Sequence, residues 1–182
     1  RQQFVVEELS DKSFKQGTGK GTTTAEIHTE IGNEPGEYLV RCGPSSFAID
    51  KNSGQLTHWS LEGTEQLQSP MSDNFARAPL DNDICSSQVD HPSPDSWLSE
   101  WQAAGLFEWE HRCLDISLDE SCKRLTVRHG YFDNNRLMVS STWHYVFSAD
   151  GTVAITIGVE VSESAPTLPR VGAALHLSQD PG

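Results

Sequence analysis

The sequence predicts an all-β fold of antiparallel strands with one short helix, and three observations carry that expectation. From Tyr38 onward apolar and polar residues alternate with period two, as in Val153, Ile155, Ile157, Val159 and Val161, the pattern of strands with one buried and one wet face. Clusters of Gly, Asn, Asp and Pro interrupt these runs at the spacing of hairpin-connected sheets. A helical period occurs once, around Trp97 and Trp101.

The elements follow in order. Arg1 to Leu9 reads as a lone strand, and residues 10–36, poor in large apolar side chains, read as a linker. Tyr38 to Cys42 and Ser46 to Asp50 read as short strands. Lys51-Asn52-Ser53-Gly54 then supplies a turn, with Gly54 suited to positive φ, before a strand from Gln55 to Ser60. Longer strands are expected at Trp109 to Leu118, Lys123 to Tyr131, Leu137 to Phe147, Thr152 to Val161 and Arg170 to Leu177. The helix is expected to be capped by Ser93, with Pro94 at its first position, Asp95 facing the dipole and Gly105 ending it. Trp97, Trp101 and Ala104 recur at helical spacing, so both indoles are expected to pack on the sheet.

Composition narrows the function. With 13 Lys+Arg against 26 Asp+Glu among 182 residues the net charge is −13, which repels nucleic-acid phosphates and anionic lipid and leaves neutral sugars unaffected. No run approaches the roughly 20 apolar residues of a membrane helix. Neither nucleic acid nor membrane is expected as a partner. Cys42, Cys85, Cys113 and Cys122 lack zinc-ribbon spacing and read as free thiols of a reducing compartment, with a Cys113–Cys122 disulfide as the bolder alternative.

Gly17-Thr18-Gly19-Lys20-Gly21-Thr22 is not a phosphate loop, because Gly follows the lysine and no apolar strand precedes it. Asp81-Asn82-Asp83 lacks the Gly and Glu of a calcium loop and reads as a bend after Pro79 held by side chain to backbone hydrogen bonds. Glu108 and Glu110 are alternate residues on one strand face, where solvation explains them better than a hydrolytic pair. The seven histidines show no ligand spacing, so no metal site is predicted, and neither Ser87 nor Cys85 has an adjacent base.

Phe75-Ala76-Arg77-Ala78-Pro79-Leu80-Asp81-Asn82-Asp83-Ile84 resembles the Arg-Ala-Pro-x-Asp-Asn-Asp signature of the C-terminal module of glycoside hydrolase family 2 β-galactosidases. Trp97-Leu98-Ser99-Glu100-Trp101-Gln102-Ala103-Ala104-Gly105 is similar to the family's double-Trp helix, and Pro169-Arg170-Val171-Gly172 to a later segment. The resemblance covers residues 37–179. It implies a partial galactose-mutarotase-like β-supersandwich over residues 37–182, with residues 1–36 as the end of a preceding immunoglobulin-like domain and a linker.

The family's two glutamates, with magnesium and sodium, belong mainly to a (β/α)₈ barrel that this sequence does not contain. The resemblance therefore implies a non-catalytic, cofactor-free, cytoplasmic portion of a retaining β-galactosidase, whose partners are the remainder of that chain and, in the whole enzyme, galactosides. It places Cys85, Ser86, Ser87 and Gln88 on a loop beside the pocket and gives Arg77, Asp81, Asn82 and Asp83 the loop's support. Relatives carry Gly where Cys85 stands, and Gly reaches conformations that Cys adopts only with strain. Exposed sheet edges further imply association between copies. Two other readings stand beside this one: an aldose-epimerase-like enzyme using a His and a carboxylate, and an independent carbohydrate-binding sandwich using Trp97, Trp101 or Trp143.

Overall fold

The structure, a computed structural model, describes residues 29–86, 91–120 and 123–178. Its first sheet is a meander of β1 (Thr29–Glu34), β2 (Glu37–Cys42), β3 (Ser45–Asp50), β4 (Leu56–Leu61) and β5 (Thr64–Glu65), side by side in sequence order. A second sheet, ordered β10-β9-β8-β7, holds β7 (Glu110–Asp119), β8 (Arg124–Asp133), β9 (Arg136–Phe147) and β10 (Val153–Val161). β6 (Ser72–Asn74) and β11 (Gly172–Ala174) form a small antiparallel pair, and α1 (Asp81–Ile84) and α2 (Trp97–Ala103) lie between β6 and β7 in sequence. The chain is an all-β sandwich of antiparallel sheets.

Local chemistry explains most of these elements. Asn134 and Asn135, both at positive φ, make the two-residue turn that closes β8 on β9 in the register Asp133↔Arg136. Gly54 sits at φ +72° where the β3–β4 turn meets the second sheet, and a Cβ there would stand 2.6 Å from Val127 Cγ1 and 2.8 Å from His129 Cε1. Only glycine lets the two layers approach so closely at this corner.

The layers meet through the inward faces of both sheets. Val40, Phe47, Ile49 and Leu56 of the first pack against Leu125, Val127, Trp143, Tyr145 and Phe147 of the second. Along β9 the rings of Trp143, Tyr145 and Phe147 stack at 6.0 and 6.3 Å, and Phe147 meets Phe47 at 5.5 Å, so one aromatic column spans the core. A second cluster joins Phe75, Ile84, Leu98, Trp101 and Leu106 to Met138 and Val139 of β9. It seats both helices on the second sheet.

Several expectations need correction. The stretch read as linker through residue 36 contains β1, whose Ile31 pairs with Val40; its Gly and Asn content hid a strand that its partner stabilises. Ser96, not Ser93, caps α2, accepting from Ser99 N–H at 3.2 Å, because Ser93 to Ser96 already form a turn. Trp101 is fully buried, its Nε1 donating to Thr167 O at 2.8 Å, whereas Trp97 is 54% exposed. The buried face of this short helix runs through Leu98 and Trp101, leaving Trp97 in the first turn outside it. The strand expected from Arg170 to Leu177 shrinks to β11 plus a single bridge from Leu177 to Leu67.

Candidate functional site

The Arg-Ala-Pro-x-Asp-Asn-Asp segment folds into one helical turn organised around Asp83. Its carboxylate, 2% exposed, receives Arg77 Nη1 at 2.6 Å on Oδ2 and Nη2 at 3.0 Å on Oδ1, a two-pronged grip. Leu80 N–H donates to the same Oδ2 at 2.7 Å, so Asp83 also caps the turn that contains it. The Arg77 guanidinium beside it and the Leu80 amide hold the carboxyl below its ordinary range. Arg77 lies 5.6 Å over the ring of Trp101, which links this clamp to α2 and the second sheet.

The loop leaves from this clamp. Cys85, exposed, adopts φ 52°, the left-handed conformation that glycine takes without cost, with its N–H donating to Asp81 O at 3.1 Å and its Sγ to Asn82 O at 3.2 Å. Ser86 Oγ donates to His91 O at 2.8 Å, bringing the two described ends of the loop together. Asp81 and Asn82 are exposed and take part through their carbonyls. Ser87 and Gln88 lie outside the described residues, as does Cys122, so the Cys113–Cys122 pairing does too.

A second polar centre, absent from the expectations above, lies under the sandwich edge at β6. Asp73 accepts from Tyr131 Oη at 2.9 Å and Ser141 Oγ at 2.5 Å on Oδ2, and from Trp143 Nε1 at 3.0 Å on Oδ1. Burial pushes its carboxyl up despite these donors. Alongside, His111 Nε2 and His129 Nδ1 are 3.0 Å apart, so one ring donates to the other. Burial, then the neighbouring His111, depresses His129 to about 4, while burial lowers His111 against the pull of Asp73. Ser72-Asp73-Asn74 has no apolar alternation to mark it as a strand; pairing with β11 makes it one.

Glu108 ends a 3-10 turn (Leu106–Glu108) rather than sharing a strand face with Glu110, the first residue of β7, and both line an open, mainly polar cleft of about 440 Å³ together with Asp133 and Asn135. Glu110 is held by Arg112 through Nε at 2.8 Å and Nη2 at 2.5 Å, an arrangement that neutralises it. Of the tryptophans offered by the sequence as sugar platforms, Trp101 and Trp143 are enclosed in the two cores.

The description "Beta galactosidase small chain" belongs to the family whose profile matches residues 42–181. Similar curated proteins include the β-galactosidases of Aeromonas hydrophila, 42% identical over 79% of this chain, and Klebsiella pneumoniae, 38% identical over 74%. That of Alteromonas mediterranea is 35% identical over 90%. The chain spans only 14%, 13% and 16% of those three relatives. The profile reaches from the last residue of β2 past β11, embracing the Arg77–Asp83 clamp and both sheets, and the chain belongs to the β-galactosidase small-chain family.

Proposed function

We propose that this chain is a non-catalytic part of a β-galactosidase that hydrolyses terminal β-D-galactose residues, completing the wall of the pocket and stabilising the assembly. The observation that carries this reading is the clamp at the loop's stem. Arg77 and Asp83 hold the departure point of residues 85–91 rigidly on a packed sandwich, the arrangement in which a loop serves a site built elsewhere. Similarity to β-galactosidases of which this chain spans about one-seventh supports the same division of labour. In this reading magnesium and sodium belong to the barrel of the whole enzyme. The free thiols of Cys42 and Cys85 support a cytoplasmic setting.

One observation favours the aldose-epimerase reading, the approach of Asp73 to the His111–His129 pair. That carboxylate is already engaged by three donors, so it serves better as a packing node than as a proton carrier. The test has two arms. The isolated chain, assayed with a chromogenic galactoside and for galactose mutarotation, is expected to turn over neither. In the β-galactosidase that contains it, Gln88→Ala is expected to change KM or kcat with melting unaltered. Turnover by the isolated chain, or unchanged kinetics with altered melting in the whole enzyme, overturns the reading.

A further inference from the structure

We propose that the outer face of the first sheet carries an acyl-accepting serine, Ser46, served by His58 as base and Glu65 as its orienting carboxylate. The site is separate from the loop and the clamp, and its ester chemistry is a second activity apart from galactoside hydrolysis, in which the chain takes no catalytic part. Ser46 on β3 and Ser60 on β4 are register partners, and Ala48 and His58 are the next pair on the same face. Ser46 Oγ lies 3.3 Å from His58 Nε2 and 2.7 Å from Ser60 Oγ, and His58 Nδ1 pairs with Glu65 Oε2.

A carboxylate only accepts, so His58 Nδ1 carries a hydrogen, and in the neutral ring, the form a base requires, Nε2 is an acceptor facing Ser46. Ser46 then donates to Nε2, and Ser60 donates to Ser46. The result is one directed chain, Ser60 to Ser46 to His58 to Glu65. Nucleophile, base and orienting group stand in the order that activates a hydroxyl. Glu65 is itself anchored, its Oε1 accepting from Trp59 N–H at 3.1 Å and Leu67 N–H at 3.0 Å. Burial works to raise its carboxyl, but these amides and His58 prevail and hold it below its ordinary range.

The surroundings select the substrate. The His58 side chain is 42% exposed, so a solute reaches the hydroxyl from water. Arg41, register partner of Ser46 on β2, brings positive charge to the same face. Arg41 is a side-chain donor, less rigid than a pair of backbone amides, which limits stabilisation of an oxyanion. The site therefore suits small esters with a good leaving group rather than amides.

In the reaction, Ser46 Oγ bonds to the ester carbonyl carbon as its proton passes to His58 Nε2. The bond to the leaving oxygen then breaks, and the proton on His58 goes to that oxygen or to solvent. Water, deprotonated by His58, attacks the acyl-Ser46 carbonyl and releases the acid, restoring Ser46. Ester and water become acid and alcohol with no change of oxidation state.

The experiment treats the full chain with p-nitrophenyl acetate and, separately, with a fluorophosphonate whose adduct is mapped by mass spectrometry. The expected result is an adduct on Ser46 and hydrolysis that falls on the order of tenfold or more in Ser46→Ala and in His58→Ala. His58→Gln keeps a polar partner for Ser46 while removing the base, and is expected to lose the adduct with melting unchanged. No adduct on Ser46 in the wild type, or labelling undiminished in His58→Gln, overturns the proposal.

Discussion

The indole Nε1 of Trp143 donates to Asp73 Oδ1 at 3.0 Å across 70 residues of chain, fastening β6 to the middle of β9. This one carboxylate also answers Tyr131 and Ser141. Removing it in Asp73→Ala leaves the Tyr131 and Ser141 hydroxyls without their acceptor beneath the sheet. We expect a loss of about 2–4 kcal/mol by denaturant unfolding, and a smaller one for Asp73→Asn.

The same residue sets a pH dependence. Burial raises its folded-state pKa above the unfolded value of about 3.9, so between the two the folded state binds the extra proton. Stability contributed by this group therefore falls as pH rises through that window. Asp73→Asn is expected to lack the fall, and parallel pH–stability curves for the two proteins would refute it.

Arg77 and Asp83 give the opposite sign. The Arg77 guanidinium and the Leu80 amide depress the Asp83 carboxyl, so its stabilisation is complete above the unfolded value and is lost as pH falls through the folded one. Asp83→Asn is expected to destabilise at neutral pH and to converge with the wild type in acid. Arg77→Lys keeps the charge but not the two-pronged geometry and is expected to lose most of what Arg77→Ala loses. Thermal melts at pH 7 and pH 3 check both.

At Cys85, φ 52° places a side chain in a conformation that costs a non-glycine residue about 1–2 kcal/mol, partly offset by the greater freedom glycine has when unfolded. Cys85→Gly is expected to stabilise by about 0.5–1 kcal/mol, and Cys85→Val to destabilise. A melt in which the glycine variant is the less stable would show that the Sγ contact to Asn82 O outweighs the backbone cost.

How much of this was legible in the sequence differs by element. β8, β9 and β10 carry long alternating runs, and their bounds were readable to within a few residues because burial on one face dictates the pattern. β1 and β6 were not: the Gly and Asn content of β1 masked a hairpin with β2, and Asp73 becomes a strand residue only through β11, about a hundred residues on. The bend after Pro79 was legible, with Asp83 supplying the side chain to backbone bond while Asp81 and Asn82 contribute their carbonyls, but Arg77 as its clamp came from the family resemblance rather than from spacing. The Ser46–His58–Glu65 alignment needed the bulge between Ala48 and Ile49, which shifts the β3–β4 register and leaves no local signal.

The two edges of the second sheet differ in a way that predicts association. β7 carries a bulge at Cys113/Asp115 and the charges of Glu110, Asp115 and Asp119, devices that discourage a further strand. β10 is paired only to β9 among the described strands, runs nine residues, and has Glu160 as its single charge. Val153, Ile155 and Ile157 stay half-buried along it against the core. Its row of backbone donors and acceptors is expected to draw copies of the isolated chain together as concentration rises. Ile157→Lys puts a charge on the inward side of that edge and is expected to suppress association, at some cost in core stability. Light scattering across a concentration series decides the matter: a monomer at every concentration would mean that β10 is blunted by something other than charge.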